Sequence, residues 1–443
     1  MLSTGVLLNS MNALLMSTVM PSAVKDIGGL EYMAWPSTSF LAASVIAASA
    51  GGIARAMFGA RSAYIVAATL FGFGSLSAGV APSIAVLVSG RFIQGIGGGL
   101  LSSLAFVMVR NVFPANLWPR VFTLFSSIWG ISVLLGPLTG GVFAGMGFWR
   151  GAFLVVFAMS LILATLAAMS LPADDDRPAA PPFPSLRLGL VGIAIAFMSL
   201  AAPSTNVVAQ ATFILLAILV FLFALALDRR AEIPVLPSDA FALRTALGFG
   251  LWVLFLITLA NDPFPIYGPL FLQTIQMMSP LSAGYLVAME SMAWTLVAAA
   301  VATLPARWAP HFMILGPFTM GIGLVGISLF LADGMSWLLL FSICLSGGGI
   351  GACFAYLSQT IMANARDGEG DSAASSLATV QLVGLATGAA LAGLVANLTG
   401  LSGGLQVDNA TAASHWVPGA FSVFTAIASL AAVFMVRLNK VRQ

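Results

Sequence analysis

Residues 89–99 read SGRFIQGIGGG and sit inside an apolar run from 84 to 109, so one arginine, Arg91, is embedded where almost everything around it avoids water. At 1.5 Å per helical residue it lies roughly 10 Å below one end of that run, and a guanidinium at such depth is costly unless it meets polar groups or a cavity. The rest of the chain repeats this setting. Of 443 residues 60% are hydrophobic and only 7% charged, against roughly a quarter charged in a soluble domain. Apolar runs of about 20 residues are the length that crosses a bilayer as a helix. With a net charge of +2 and scattered cations, 15 Arg and 2 Lys, there is no patch for nucleic acid.

Reading apolar runs between polar or proline punctuation gives fourteen spans, near 2–22, 34–54, 62–80, 84–109, 121–144, 151–171, 188–204, 208–227, 245–272, 281–304, 312–331, 336–363, 373–398 and 416–436. The first has no basic leader and no cleavage site, and reads as a span rather than a signal peptide. With the amino terminus inside, fourteen cations from Arg55 to Arg442 fall in cytoplasmic segments, and only Lys25 and Arg150 fall outside. That bias sets both termini in the cytoplasm. Two stretches read as linkers: 172–187, acidic with five prolines, and 228–244, DRRAEIPVLPSDAFALR. The expected organisation is a six-helix bundle over 1–171, the linker 172–187, a two-helix insert over 188–227, the linker 228–244, and a second six-helix bundle over 245–443.

Helix 4 carries R-x-x-Q-G-x-G at Arg91, Gln94, Gly95 and Gly97, and helix 5 carries GPLTGG with Gly136, Pro137, Gly140 and Gly141. Together these resemble the major facilitator superfamily, and the insert and RRAEIPVLP before span nine resemble its fourteen-helix drug:proton antiporter branch. The resemblance covers essentially the whole chain. It implies an all-α membrane fold of two pseudo-symmetric six-helix bundles plus a two-helix insert, with alternating access around a site between the bundles. Arg91 then reads as a gating or charge-balancing residue, with partnership to backbone carbonyls as the alternative. Two departures stand out. After helix 2 the family shows G-x-L-A-D-R-x-G-R-R, where this chain has GGIARAMFGAR, with Arg55 at the acidic place, one extra residue before Gly59, and then Arg61. In helix 1, NALLMSTVMP puts Asn12 where the family has an acid, so no proton is carried there.

Of the fifteen acids only Asp262 and Glu290 fall near the membrane midplane. Glu290 lies in an uninterrupted span, SAGYLVAMESMAWTL, and is the first candidate for proton coupling; a structural hydrogen bond is the alternative. Asp262 lies in ANDPFPIYGP, whose prolines must interrupt the helix, unless the helix begins later and Asp262 sits in a surface turn. Asn12, Trp129, Phe264, Tyr267, Tyr285 and Trp294 are candidates for contact with a lipophilic substrate. No nucleotide loop, catalytic cluster or spaced metal ligands occur; Cys344 and Cys353 point to opposite faces of one helix, and His311 and His415 have no companions. The expectation is therefore a transporter and not an enzyme, without cofactor or metal. It would be a monomer in a bacterial inner membrane, exporting a small amphipathic molecule in exchange for protons. A metabolite importer or facilitator, a lipid flippase, and a transport-dead sensor or scaffold are the alternatives.

Overall fold

The computed structural model describes residues 2–112, 118–171, 184–204, 206–231, 234–334, 336–367 and 369–442. Every long element among them is a helix, as a bilayer requires of backbone groups that find no water. In order they are α1 (Leu2–Ile27), α2 (Trp35–Ser49), α3 (Gly51–Gly79), α4 (Ile84–Val112), α5 (Trp118–Gly145), α6 (Arg150–Ser170), α7 (Ser185–Ala201), α8 (Val207–Asp228), α9 (Ala246–Asn261), α10 (Pro263–Ile275), α11 (Pro280–Ala302), α12 (Ala309–Phe330), α13 (Trp337–Ala363), α14 (Gly370–Leu398) and α15 (Val407–Arg442). Counting α9 and α10 as two halves of one crossing leaves the fourteen helices expected. Ten helices of the described residues are long and apolar enough to cross a membrane.

Two boundaries differ from the sequence expectation. The polar loop expected between 54 and 62 shrinks to a single break at Gly59, with φ 77° and ψ 162°, so Arg55 and Arg61 both lie on helical turns. A kink made at one residue with positive φ needs a backbone conformation that only glycine adopts without strain. The last helix starts at Val407 rather than near 416, because VDNATAASH is polar yet rich in helix-forming alanine, with Asp408 in its first turn.

The chain forms two compact units, residues 1–192 with 279–285, and residues 193–278 with 286–443. In the first, α4 packs between α2 and α3 at glycines. A methyl at Gly97 would overlap the Phe71 amide and the Ala67 carbonyl of α3; one at Gly95 or Gly99 would overlap the Phe40 or Ser44 carbonyl of α2. Lipid is as apolar as leucine, so closeness of this kind, rather than exclusion of water, holds membrane helices together. Beyond the apolar part of α1, Asp26 accepts hydrogen bonds from Arg150 and from Trp149 Nε1 (3.1 Å), while Arg150 Nη2 donates to the Ala81 carbonyl (2.9 Å) and its guanidinium lies 4.4 Å from the Trp149 ring. The Arg150 and Trp149 donors hold the Asp26 carboxyl below the usual carboxylate range.

In the second unit α7 and α8 pack on α14 through Met198, Ala217 and Ala390, then Ala201, Ala202 and Leu394, with Asn397 Nδ2 donating to the Ala202 carbonyl (2.9 Å). Most of α8 is apolar and exposed, including Leu215, Leu219, Leu222 and Phe223, as suits a lipid-facing helix. The segment expected as the second linker is tied down in its described part. Asp228 accepts from the Val235 and Leu236 amides (3.0 and 2.9 Å), Arg366 forks onto Asp239 (3.0 and 2.6 Å), and the Ser238 amide meets Glu369 (3.3 Å). Of the first linker, residues 172–183 lie outside the described residues.

Gly97→Val should overpack the α3–α4 contact by about 1–3 kcal/mol or more and remove most monodisperse protein in fluorescence-detected size exclusion. Gly28→Ala, with φ +73° and no atom within 4 Å of the new methyl, should cost only about 1 kcal/mol. Asp26→Asn should lower the melting temperature at neutral pH. Because the folded carboxyl titrates below the unfolded one, its contribution is present above the unfolded value and fades as pH falls. The melting curves of variant and wild type should therefore converge below about pH 4.

Candidate functional site

In the first unit the buried polar groups gather around Arg91, which is only 2% exposed. Its Nε donates to the Pro36 carbonyl (3.3 Å), and Nη1 donates to Asn12 Oδ1 (3.0 Å) and to Gln94 Oε1. The guanidinium lies 4.2 Å from the centre of the Phe40 ring. Gln94 Nε2 in turn donates to Asn12 Oδ1 (3.0 Å) and to Ser75 Oγ. Asn12, Gln94 and Ser75 are all inaccessible. Every acceptor here is neutral, and no carboxylate among the described residues pairs with Arg91. A buried cation without a counter-ion is tolerable only when several dipoles point at it. Asn12 therefore anchors Arg91 rather than lining an open surface, and its Nδ2 has no partner among the described residues.

The helix 5 motif serves the same unit. Gly136 admits the Met11 carbonyl and Leu14 of α1, and Gly140 admits Thr18 and the Leu15 carbonyl. Gly141 meets Leu281, and Gly284 meets Thr18 and Pro137. Pro137 lies within α5. Tyr285 donates to the Leu134 carbonyl of α5 (3.3 Å), and Trp129's side chain lies outside the described residues. Arg55 and Arg61 flank Gly59 on α3 and take no part in the Arg91 network.

In the second unit the prolines do what the sequence suggests. α9 ends at Asn261, Asp262 sits at the junction, and Pro263 opens α10. Having no N–H, Pro263 leaves the Leu259 carbonyl without its helical donor. A methyl at Gly388 of α14 would overlap that same oxygen, so α14 backbone closes over it. Asp262 is not in a surface turn: its Oδ2 is buried without a hydrogen-bond partner among the described residues, as are Asn261 Oδ1, Tyr267 Oη and Gln273 Nε2 nearby in sequence. Phe264 and Tyr267 are buried, Tyr267 stacking on Phe271 at 5.9 Å, and Trp294 lies 5.7 Å from Phe354. Glu290, 3% exposed on α11, accepts a 2.6 Å hydrogen bond at Oε1 from Ser346 of α13. Where α11 and α13 meet at this point, a methyl at Gly347 would overlap the Glu290 carbonyl oxygen. Asp262 and Glu290 are close enough for their like charges to interact. Sequence reading singles out neither Ser346 nor Ser75, although SGGGIG at 346–351 repeats the glycine texture of QGIGGG at 94–99.

A buried cation on R-x-x-Q-G-x-G, GPxxGG against α1, and helices throughout the described residues, ten of them long and apolar enough to cross a membrane, agree with what sequence comparison finds. The family model described as Major Facilitator Superfamily matches residues 2–389. The chain belongs to that family. It is 34% identical over 413 residues to a Mycobacterium tuberculosis protein named "Probable multidrug-efflux transporter", covering 89% of this chain and 86% of that one. A "Multidrug efflux pump" of Staphylococcus aureus is 24% identical over 358 residues, covering 80% and 79%. Among solved structures, a D-xylose–proton symporter aligns over 98% of this chain and 95% of its own with a TM-score of 0.66 at 15% identity, which establishes likeness of fold. This member of the superfamily is thus a multi-pass membrane protein and a secondary transporter of small molecules, not an enzyme.

Arg91→Lys cannot reproduce a fork that reaches Pro36, Asn12 and Gln94 at once. It should destabilise the purified protein by about 1–3 kcal/mol, read as a lower melting temperature. Asn12→Asp gives the same guanidinium a counter-ion and should raise it. A melting temperature for Asn12→Asp below wild type would show that Arg91 is already fully compensated.

Proposed function

We propose that the protein exports small amphipathic organic compounds across a bacterial inner membrane in exchange for protons. It works as a monomer with both termini in the cytoplasm. Export is favoured by the names of the relatives and by GPLTGG on α5, which resembles the antiporter motif. Orientation rests on the fourteen-to-two division of cations. The six-helix bundles at 1–171 and 245–443, joined through the insert at 188–227, are the bodies that would rock about the substrate.

The observation that carries proton coupling is the Glu290 carboxyl, buried on an unbroken helix, hydrogen-bonded through one hydroxyl and unpaired with any described cation. Such a group changes its charge by one with each proton it takes or gives. Asn12 removes the acid that the family pattern places in the first half. A cycle then runs as follows: Glu290 takes a proton from the acidic outside, the protein turns inward, and the proton leaves to the more alkaline cytoplasm as substrate enters. Asp262 at the helix break is the second carboxyl of the pair. Tyr285 in the first unit and Phe264, Tyr267 and Trp294 in the second are our candidates for contact with an apolar substrate, and Arg91, Gln94 and the α5 glycines govern the change of state. Import of a metabolite on the same fold is the competing reading, separated by direction of transport in inside-out vesicles.

Glu290→Gln reconstituted into proteoliposomes should reduce gradient-driven efflux of an amphipathic dye such as ethidium by roughly a hundredfold, the size expected when an essential proton-transfer group is lost. Asp262→Asn should reduce it less. Uphill pumping by Glu290→Gln at the wild-type rate would move the coupling role to Asp262.

A further inference from the structure

We infer that Ser346 of α13 is the positioning residue for the Glu290 carboxyl, at the place that Gln94 holds on α4 in the pseudo-symmetric arrangement of the superfamily. The inference rests on the proton-coupling role of Glu290. Its geometric basis is a set of backbone contacts that recur in the two units with constant offsets. On α4, Gly95 and Gly99 face the carbonyls of Phe40 and Ser44 on α2; on α13, Gly347 and Gly351 face the carbonyls of Glu290 and Trp294 on α11. Gly97 faces Ala67 and Phe71 on α3, and Gly349 faces Gly316 and Met320 on α12. From the other side, Gly74 faces the amide of Gln94, and Gly323 faces the amide of Ser346. Each α4 residue thus maps onto the α13 residue 252 places later (95 to 347, 97 to 349, 99 to 351), while α2 maps onto α11 at 250 (40 to 290, 44 to 294). The α3 residues map onto α12 at 249 (67 to 316, 71 to 320, 74 to 323).

This register assigns partners. Gln94 corresponds to Ser346, Arg91 to Ile343, and Phe40 to Glu290. The residue just before the glycine pair is the polar hub in both units. Gln94 binds Arg91, Asn12 and Ser75, and Ser346 binds Glu290. In the first unit Arg91 lies over Phe40; in the second the same register puts Glu290 at the place of Phe40 and Ile343 at the place of Arg91.

The chemistry follows from a single donor. Gly347 fixes the α11 backbone at Glu290 itself, and the Ser346 hydroxyl engages Oε1 alone. Oε2 takes no hydrogen bond from the described residues, so it is the oxygen free to take the proton while the Ser346 O–H bond stays intact. The hydrogen bond stabilises the charged carboxylate more than the neutral acid and so makes the proton easier to release. Among the described residues, the Glu290 charge is felt by Asp262 at the α9–α10 junction, and α13 gives Glu290 the Ser346 hydroxyl.

Infrared titration of the purified protein tests this without any substrate, because the carboxyl band lost in Glu290→Gln belongs to Glu290. Ser346→Ala should move the midpoint of that band about one pH unit to the alkaline side. Ser346→Thr should stay near wild type. Ser342→Ala is the control: one turn away, its hydroxyl bonds the Leu338 carbonyl of its own helix (2.6 Å), and the midpoint should not move. Should Ser346→Ala fail to fold, Ser346→Cys, a weaker donor, carries the same comparison. A Ser346→Ala midpoint equal to wild type would overturn the positioning role and leave proton coupling intact. Absence of any titrating band removed by Glu290→Gln would overturn the coupling reading itself.

Discussion

Two helices in lipid are held together by how closely their backbones can approach, and in this protein that closeness is concentrated on α4 and α13. Each of these helices touches two neighbours through glycines whose missing side chains leave room for a carbonyl or amide of the opposite helix. Two buried polar contacts depend on them directly. The Arg91 fork reaches Pro36 because Gly95 lets α2 lie against α4, and the Ser346 hydroxyl reaches Glu290 because Gly347 lets α11 lie against α13. Widen either contact by the thickness of one methyl group and hydrogen bonds near 3 Å are lost, leaving buried charge without its dipoles.

Much of this was legible in the chain itself. Apolar runs located the helices because a bilayer demands about 20 residues for each crossing, and the prolines of ANDPFPIYGP announced the break at Asp262 because proline cannot donate to the ladder. The missing loop at Gly59 was hidden, since a kink at one glycine and a short polar loop have the same composition. The segment 228–244 read as a linker from its prolines and charges, yet Asp228, Asp239 and Glu369 tie it down through partners up to 131 residues away, which composition cannot reveal. Ser346 was hidden for a more general reason. A serine in a membrane helix ordinarily bonds the carbonyl one turn back, as Ser160 and Ser342 do, and only the neighbouring helix decides which serine reaches across instead.

The charges are divided unevenly between the two units. The first holds a cation among neutral acceptors, with Asn12 where the family pattern has an acid; the second holds two carboxyls, one with a single donor and one with a bare oxygen. A cation fixed by four neighbours is a poor carrier of anything, since moving it would strand each of them. A carboxyl with one hydrogen bond has little to give up when its charge changes. The unequal number of partners, more than the sign of the charge, separates a residue that holds structure from one suited to exchange protons.

The glycine seams have one more consequence. Side chains that interlock like gear teeth resist sliding, because each must leave its rotamer well before its helix can advance. Along Gly95, Gly97 and Gly99, and along Gly347, Gly349 and Gly351, there are no teeth. Backbone rests on backbone, so what resists a shear of one helix over the next is the few hydrogen bonds that cross the seams, Arg91 to Pro36 and Ser44 to Gly95 in the first unit and Ser346 to Glu290 in the second. Such a seam is latched at points rather than geared along its length.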